Sequence, residues 1–200
     1  MWVVKLGGSL SEGAQAGDTS QLRDWLSMLA QTGAGRVVIV PGGGRFADAV
    51  RHAQAQWRFD DLTAHNMAVL AMSQTAHLMC GLHPALRRCD LEDQLIEVLR
   101  RGQTAVWSPI ELQRESADTD TNWDATSDSI ALGLAQRLGA ARLVVVKSCE
   151  VDPTATLEQL SAAGVIDRRF ATRAADGSMP IDVVGCHRLM EIDTALARTD

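Results

Sequence analysis

Two hundred residues, 46% hydrophobic and 22% charged, suffice for one folded domain over residues 1–200 with a real core. A formal net charge of -6 argues against a nucleic-acid backbone as partner, because that binding needs a positive face. No apolar run approaches bilayer-spanning length and the N-terminus lacks the pattern of a signal peptide, so a cytoplasmic chain without membrane contact is expected. The chain then opens on Val3-Val4-Lys5-Leu6, an apolar run with one lysine, breaking into Gly7-Gly8-Ser9. This spacing predicts a buried strand ending in a turn. The turn is either simply tight or a phosphate cradle, in which main-chain N–H groups approach an anion beside the Lys5 ammonium.

Residues 11–19 read as a polar loop, and Leu22, Trp25, Leu26 and Leu29 predict an amphipathic helix from Ser20 that stops at Gly33 and Gly35. Arg36 to Val40 is a β-branched strand running into Pro41-Gly42-Gly43-Gly44, with Phe46, Ala49, Val50 and Ala53 behind it at helical spacing. Strand, triple glycine and helix make either a sharp turn or an anion site at the positive end of a helix dipole. A long helix is predicted from Asp61 to Leu82, serving the core or a subunit contact. Four histidines in these helices, His52, His65, His77 and His83, lack ligand spacing and read as solvated or packed.

Asp90 to Arg101 predicts a helix with Asp90 as N-cap and Gly102 past its end. Thr104 to Trp107 is a short strand, after which Pro109 begins a helical turn. Residues 114–122, rich in Ser, Asp and Thr, read as a mobile loop. A helix follows to Leu138, its start crowded by Thr126, Ser127, Asp128 and Ser129, more polar side chains than a cap alone uses. Arg142 to Val146 is a buried strand closed by Lys147-Ser148. Thr156 and Gln159 have capping-box spacing, Ile181 to Val184 is the last strand, and Leu189, Ile192 and Leu196 mark the closing helix. Alternating strands and helices predict an α/β fold with a mainly parallel sheet covered on both faces. Its ligand belongs at the carboxyl ends of the strands, where Gly7, Gly43 and Lys147 fall.

Two compositional details bear on chemistry. Of nineteen basic side chains only Lys5 and Lys147 are lysine, and both end apolar, strand-like runs where a surface cation would not ordinarily sit. Cys80, Cys89, Cys149 and Cys186 have no CxxC spacing and sit mostly among apolar neighbours. They read as reduced core thiols, with no protein-held metal site expected.

Taken together and in order, Lys5-Leu6-Gly7-Gly8-Ser9, Val40-Pro41-Gly42-Gly43-Gly44 and Thr126-Ser127-Asp128-Ser129-Ile130-Ala131 resemble the motifs of the amino acid kinase family. That family includes acetylglutamate kinase, uridylate kinase, aspartokinase and isopentenyl phosphate kinase. Phe46-Ala47, Trp123 and Val183-Val184-Gly185-Cys186-His187 most resemble its branch of small kinases in methanofuran and methylofuran biosynthesis. Those phosphorylate [5-(aminomethyl)furan-3-yl]methyl phosphate to the diphosphate.

The resemblance implies a three-layer α/β/α sandwich in which ATP and a small phosphate acceptor meet above the strand ends, with in-line transfer of the γ-phosphoryl group and no covalent enzyme intermediate. It implies Lys5 on the transferring group and Asp128 organising the catalytic lysines; Lys147 is expected to complete the catalytic set as the second positive charge near the β/γ-phosphates, its alternative being a partly exposed lysine with little role. Gly7, Gly8, Ser9, Ser148 and Asp152 would complete the nucleotide side, and Gly42, Gly43, Gly44, Trp123, Thr126 and Ser127 the acceptor side. Mg2+ would accompany the nucleotide, with Asp128 placed to assist it. A homo-oligomer is implied as well. In the furan branch the acceptor carries an ammonium group, for which Asp118, Asp120, Asp124 or Trp123 are candidates. Where many relatives have Asp-Gly after the fourth strand, this chain has Lys147-Ser148-Cys149-Glu150-Val151-Asp152-Pro153, and it is shorter than most. A kinase of another phosphate or carboxylate acceptor, or a member of the fold that binds nucleotide or oxyanions without turnover, is the alternative.

Overall fold

The computed structural model describes residues 1–11, 20–175 and 177–198. The polar loop expected over residues 11–19 lies outside them, apart from Ser11 in a 3-10 turn over Gly8–Ser11. Six strands form one parallel sheet: β1 (Trp2–Leu6), β2 (Val37–Pro41), β3 (Leu86–Cys89), β4 (Thr104–Trp107), β5 (Arg142–Lys147) and β6 (Ile181–Gly185), in the spatial order β3-β4-β2-β1-β5-β6. Every pairing is parallel. All five residues of β1 and of β2 are buried, as central strands of a sheet covered on both faces must be.

The two faces are filled by alternate residues of the same strands. Trp2, Val4 and Leu6 of β1, with Val144 and Val146 of β5, pack against Leu22, Trp25, Leu26 and Leu29 of α1 (Ser20–Gln31), Met79 of α3 (Asp61–Leu82) and Leu196 of α8 (Leu189–Ala197). Val3, Val38, Leu143 and Val145 face the other way. There they meet Leu95 of α4 (Glu92–Arg100), Leu132 and Ala135 of α5 (Ser127–Arg137), Leu160 of α6 (Leu157–Ala162) and Phe170 of α7 (Arg168–Ala174). The remaining helix, α2 (Gly44–Trp57), leaves the end of β2 and packs on α3. The period of two also fixes where the lysines point: Lys5 follows Val3, and Lys147 follows Leu143 and Val145. Both ammonium groups therefore leave the sheet on the α5 face, at the carboxyl ends of adjacent strands.

Several local expectations change. β3 is not predicted by the pattern, because only its two end residues, Leu86 and Cys89, turn inward and Arg87 and Arg88 between them are exposed. Nor is α7, its seven residues carrying three arginines among Phe170 and alanines. Asp90 does not cap α4. Leu91 holds the cap position while Gln94 Oε1 accepts from the Asp90 and Leu91 N–H groups, and Asp90 pairs with Arg88.

The 114–122 segment is irregular but closed rather than open. Arg114 exchanges two 2.8 Å hydrogen bonds with the Asn66 side chain and pairs with Asp118, Asp120 pairs with Arg173, and Thr121 is buried. Cys149 is exposed, whereas Cys89 and Cys186 are buried and Cys80 is partly so; all four are free thiols. Among the described residues no helix is long and apolar enough to cross a membrane.

Candidate functional site

At the carboxyl ends of β1 and β2 the chain makes two turns that interlock backbone to backbone. A Cβ on Gly8 would lie 2.2 Å from the Gly44 nitrogen, and one on Gly42 would lie 2.3 Å from the Gly8 nitrogen. No side chain fits at either place. Gly44, with φ 51°, occupies the left-handed region that glycine alone enters without strain. The glycines thus serve a close approach of main chains first, and this seats the two turns side by side. No side chain caps the start of α2, where Gly43 and Gly44 face a cavity of about 710 Å³. Gly7, Gly8 and Ser9 line the same cavity from the β1 side. Gly42 is off its wall and acts through packing.

Between the turns and α5 stands a buried cluster of three charges. Lys5 Nζ lies 2.7 Å from Asp128 Oδ1, and Lys147 Nζ lies 2.6 Å from Asp128 Oδ2. Lys5 and Asp128 are each 3% exposed, and all three line the cavity. Asp128 reaches both lysines because it sits in the first turn of α5, whose end points at the strand termini. Burial alone would raise its carboxyl, but the Lys5 and Lys147 ammonium groups outweigh burial and hold it below the ordinary carboxylate value. Burial, and then the neighbouring Lys5 charge, push Lys147 down to about 8, with Asp128 and Asp167 opposing them. The cluster is net positive, with one carboxylate for two ammonium groups, and it faces open space. Such an arrangement attracts and neutralises a polyanion.

Asp167 is a further residue of this region that the sequence motifs do not reach. Its carboxylate accepts from Thr126 N (2.8 Å) and Oγ1 (3.0 Å), Ser129 N (2.9 Å) and Oγ (2.5 Å), and Phe170 N (3.0 Å). One side chain thereby caps both α5 and α7, and it accounts for two of the polar side chains crowded at the start of α5. The available signal was an Asp three residues before Phe170, an N-cap pattern.

Thr126 and Ser127 line the cavity next to Asp128 at the start of α5, and Trp123 lines it as well. Trp123 is held from two directions: its Nε1 donates to Gln54 Oε1 at 2.7 Å, and the Arg51 guanidinium stacks over its ring at 4.3 Å. Arg51 also pairs with Asp48 at 2.7 Å. Asp48, Arg51, Asp61, His65 and Arg168 bring polar and charged groups to the cavity wall, and Ala64, Val69 and Met72 bring apolar ones. His65, which reads from the sequence as merely solvated or packed, is half-buried, donates from Nε2 to Leu112 O at 3.2 Å, and has its pKa lowered chiefly by burial.

Of the candidates for an ammonium group, Asp124 and Trp123 are on the cavity wall, Asp124 facing Arg168 at 3.3 Å. Asp118 and Asp120 are spent on Arg114 and Arg173 away from it. Ser148 lies behind the first turn, hydrogen-bonded to Ser9 Oγ at 2.7 Å, and Asp152 folds onto Thr154. Neither lines the cavity. No cluster of three or more His, Cys, Asp or Glu side chains suited to a metal ion occurs among the described residues, and both Asp128 oxygens are engaged by ammonium groups. These donors do not fit a resident metal.

Comparison with known proteins agrees with this architecture. The chain is 24% identical over 145 residues to [5-(aminomethyl)furan-3-yl]methyl phosphate kinase of Methanocaldococcus jannaschii, a match covering 72% of this chain and 64% of that protein. It therefore spans less than two thirds of that relative's length. Among solved structures, uridylate kinase from Archaeoglobus fulgidus superposes with a TM-score of 0.68 at 16% identity, covering 98% of this chain and 95% of that one. UMP kinase from Bacillus anthracis gives 0.71 at 16% identity over 98% and 91% of the two chains, and isopentenyl phosphate kinase 0.66 at 14% over 100% and 97%. These likenesses show the fold. The model of the amino acid kinase family matches residues 1–151, so this chain, with its parallel sheet and its motifs at the strand ends, belongs to the amino acid kinase family, whose members are ATP-dependent kinases.

Proposed function

We propose that this chain is an ATP-dependent phosphotransferase that moves the γ-phosphoryl group of ATP onto a phosphate oxygen of a small metabolite. The observation that carries the reading is the Lys5–Asp128–Lys147 cluster opening into a cavity rimmed by two interlocked glycine turns. The attacking oxygen forms the new O–P bond as the bond from the γ-phosphorus to the bridging oxygen breaks, and ADP leaves with that electron pair. Lys5 and Lys147 offset the charge on the transferring group and on the leaving β-phosphate. Asp128 keeps the two like charges together and does not serve as a base, because a phosphate acceptor is already ionised near neutral pH. Magnesium enters with the nucleotide as part of the substrate.

For the acceptor we infer [5-(aminomethyl)furan-3-yl]methyl phosphate, the substrate in the name of the Methanocaldococcus relative. Support comes from the cavity wall, where Asp61, hydrogen-bonded to the neutral Gln54 amide, stands with the apolar side chains of Ala64, Val69 and Met72, a lining suited to a flat ring bearing an ammonium group, while Asp48 and Asp124 on the same wall are already paired with Arg51 and Arg168. The chain works in the cytoplasm and assembles as a homo-oligomer over the outer face of α3, where Leu70 and Leu78 are exposed. The test is ADP release from Mg-ATP with and without this acceptor, UMP, isopentenyl phosphate and carboxylate acceptors, with Lys5→Ala as control. Acceptor-dependent ADP that disappears in Lys5→Ala is expected. No such ADP with any phosphate, carboxylate or carbamate acceptor would overturn the transferase reading in favour of a nucleotide- or oxyanion-binding protein.

A further inference from the structure

The region matched by the family model ends at residue 151, yet a residue beyond it touches the charged cluster. The backbone N–H of Asp167 donates to Asp128 Oδ2 at 3.3 Å, the oxygen that also receives Lys147. Its carboxylate takes five hydrogen bonds, four of them from the residues on either side of Ser127 and Asp128. A helix cap of ordinary kind uses one or two. Charge is invested here too: an ionised acceptor makes roughly twice as strong a hydrogen bond as a neutral one, and all five donors are neutral N–H and O–H groups.

We propose that Asp167 is a positioning residue of the transfer site, locking the first turn of α5 to the start of α7 so that Asp128 stays centred between Lys5 and Lys147. This rests on the reading of the cavity as a phosphoryl-transfer site. The geometry supports two separable effects. Held through Thr126 and Ser129, the α5 terminus cannot swing away from the strand ends, and an Asp128 that drifted would let the two ammonium groups repel each other out of register. In addition, the Asp167 charge acts on Lys147 itself. The charged groups facing Lys147 are Lys5 from β1, Asp128 from α5 and Asp167 from the start of α7, and of these Asp167 and Asp128 favour its protonated form.

The chain's two lysines make the test direct, because protein labelled with 13C and 15N at lysine side chains gives only two side-chain signals, of which that of Lys147 is identified with Lys147→Arg. Asp167→Asn removes the charge, and Asp167→Ser keeps a side-chain cap for α7 without a carboxylate. In both variants the Lys147 signal is expected to titrate measurably lower than in the wild type. At pH 7, with Mg-ATP and [5-(aminomethyl)furan-3-yl]methyl phosphate, kcat is expected to fall about 10- to 100-fold while the KM for ATP stays within about threefold. If Asp167→Ser melts at a lower temperature but keeps the wild-type kcat and Lys147 titration, the carboxylate is a cap and nothing more, and the proposal is overturned. A wild-type protein without acceptor-dependent ADP would instead overturn the transfer reading, and the lysine titration would still decide whether Asp167 controls Lys147.

Discussion

The cavity has two ends built on different physical terms. Near the sheet, Lys5, Asp128, Gly7, Gly42 and Gly43 are buried, Gly8 and Gly44 are partly so, and each is fixed by several neighbours: strand register, helix position and main-chain contact. At the far end, Arg51, Asp48, Asp124 and Arg168 form exposed ion pairs on the surfaces of helices and loops, where water competes with every contact. Buried charges leave large penalties behind when a partner is removed, whereas exposed pairs are worth about 0–1 kcal/mol. On the proposed function, the end assigned to the phosphoryl group is thus rigid by necessity, and the end assigned to the rest of the acceptor is free to vary at little cost to the fold.

Substitutions at the sheet end should sharpen that contrast most. Gly8→Ala places a methyl 2.2 Å from the Gly44 nitrogen, a distance no packing tolerates, so the two turns must part. A loss of about 3 kcal/mol or more is expected, read by urea unfolding. Asp128→Ala leaves two buried ammonium groups without their carboxylate, and a loss of about 3–5 kcal/mol should accompany abolished turnover. A wild-type melting curve for either variant would show this end to be as loose as the other. Lys5→Ala keeps an Asp128–Lys147 pair, so the fold should hold while kcat falls about 100- to 1,000-fold, the usual effect of deleting one donor to transition-state charge.

Titration separates the two ends in another way. Lys147, pushed to about 8, loses its proton in the folded enzyme well below the 10.5 of an unfolded lysine. Above pH 8 the cavity therefore loses a positive charge, and kcat/KM should fall with a single alkaline step near 8. Stability should move the opposite way. Between about pH 8 and 10.5 the unfolded chain binds the additional proton, so the Lys147 contribution to unfolding free energy rises with pH. Activity and melting temperature recorded over the same buffers check both signs, and in Lys147→Met both trends should disappear.

The parts legible in the sequence are those governed by local periodicity. β1, β2, β4 and β5 are runs of buried residues, and α1 and α3 have their expected spans. The two lysines stand out because an ammonium group at the end of an apolar run is costly to desolvate unless a carboxylate or a bound anion meets it. Asp167 was hidden because its partners at the start of α5 lie 38 to 41 residues away and only the packing of α7 on α5 brings them within reach. The glycine turns were half legible. Their place at the strand ends followed from the pattern, but that Gly8 and Gly42 are demanded by contact between two main chains belongs to tertiary structure. β3 was lost because an edge strand of four residues with two exposed arginines has too little alternation to register.

The smallest effects are expected at the far end, and there they bear on selectivity. Trp123→Phe removes the hydrogen bond to Gln54 and weakens the stacking of Arg51, each worth about 0.5–1.5 kcal/mol at most. Because Lys5, Asp128 and Lys147 do not touch this residue, kcat with saturating acceptor should change by less than about threefold. The acceptor KM should rise instead, and more steeply for a furan phosphate carrying an aminomethyl group than for the same compound without it, since Asp124 and Asp61 line the wall beside the ring. Asp124→Asn tests the charge alone and should narrow that ratio further. If both variants keep the wild-type ratio of kcat/KM for the two compounds, Trp123 and Asp124 do not read the ammonium group, and selectivity must be sought among the other residues of the cavity wall.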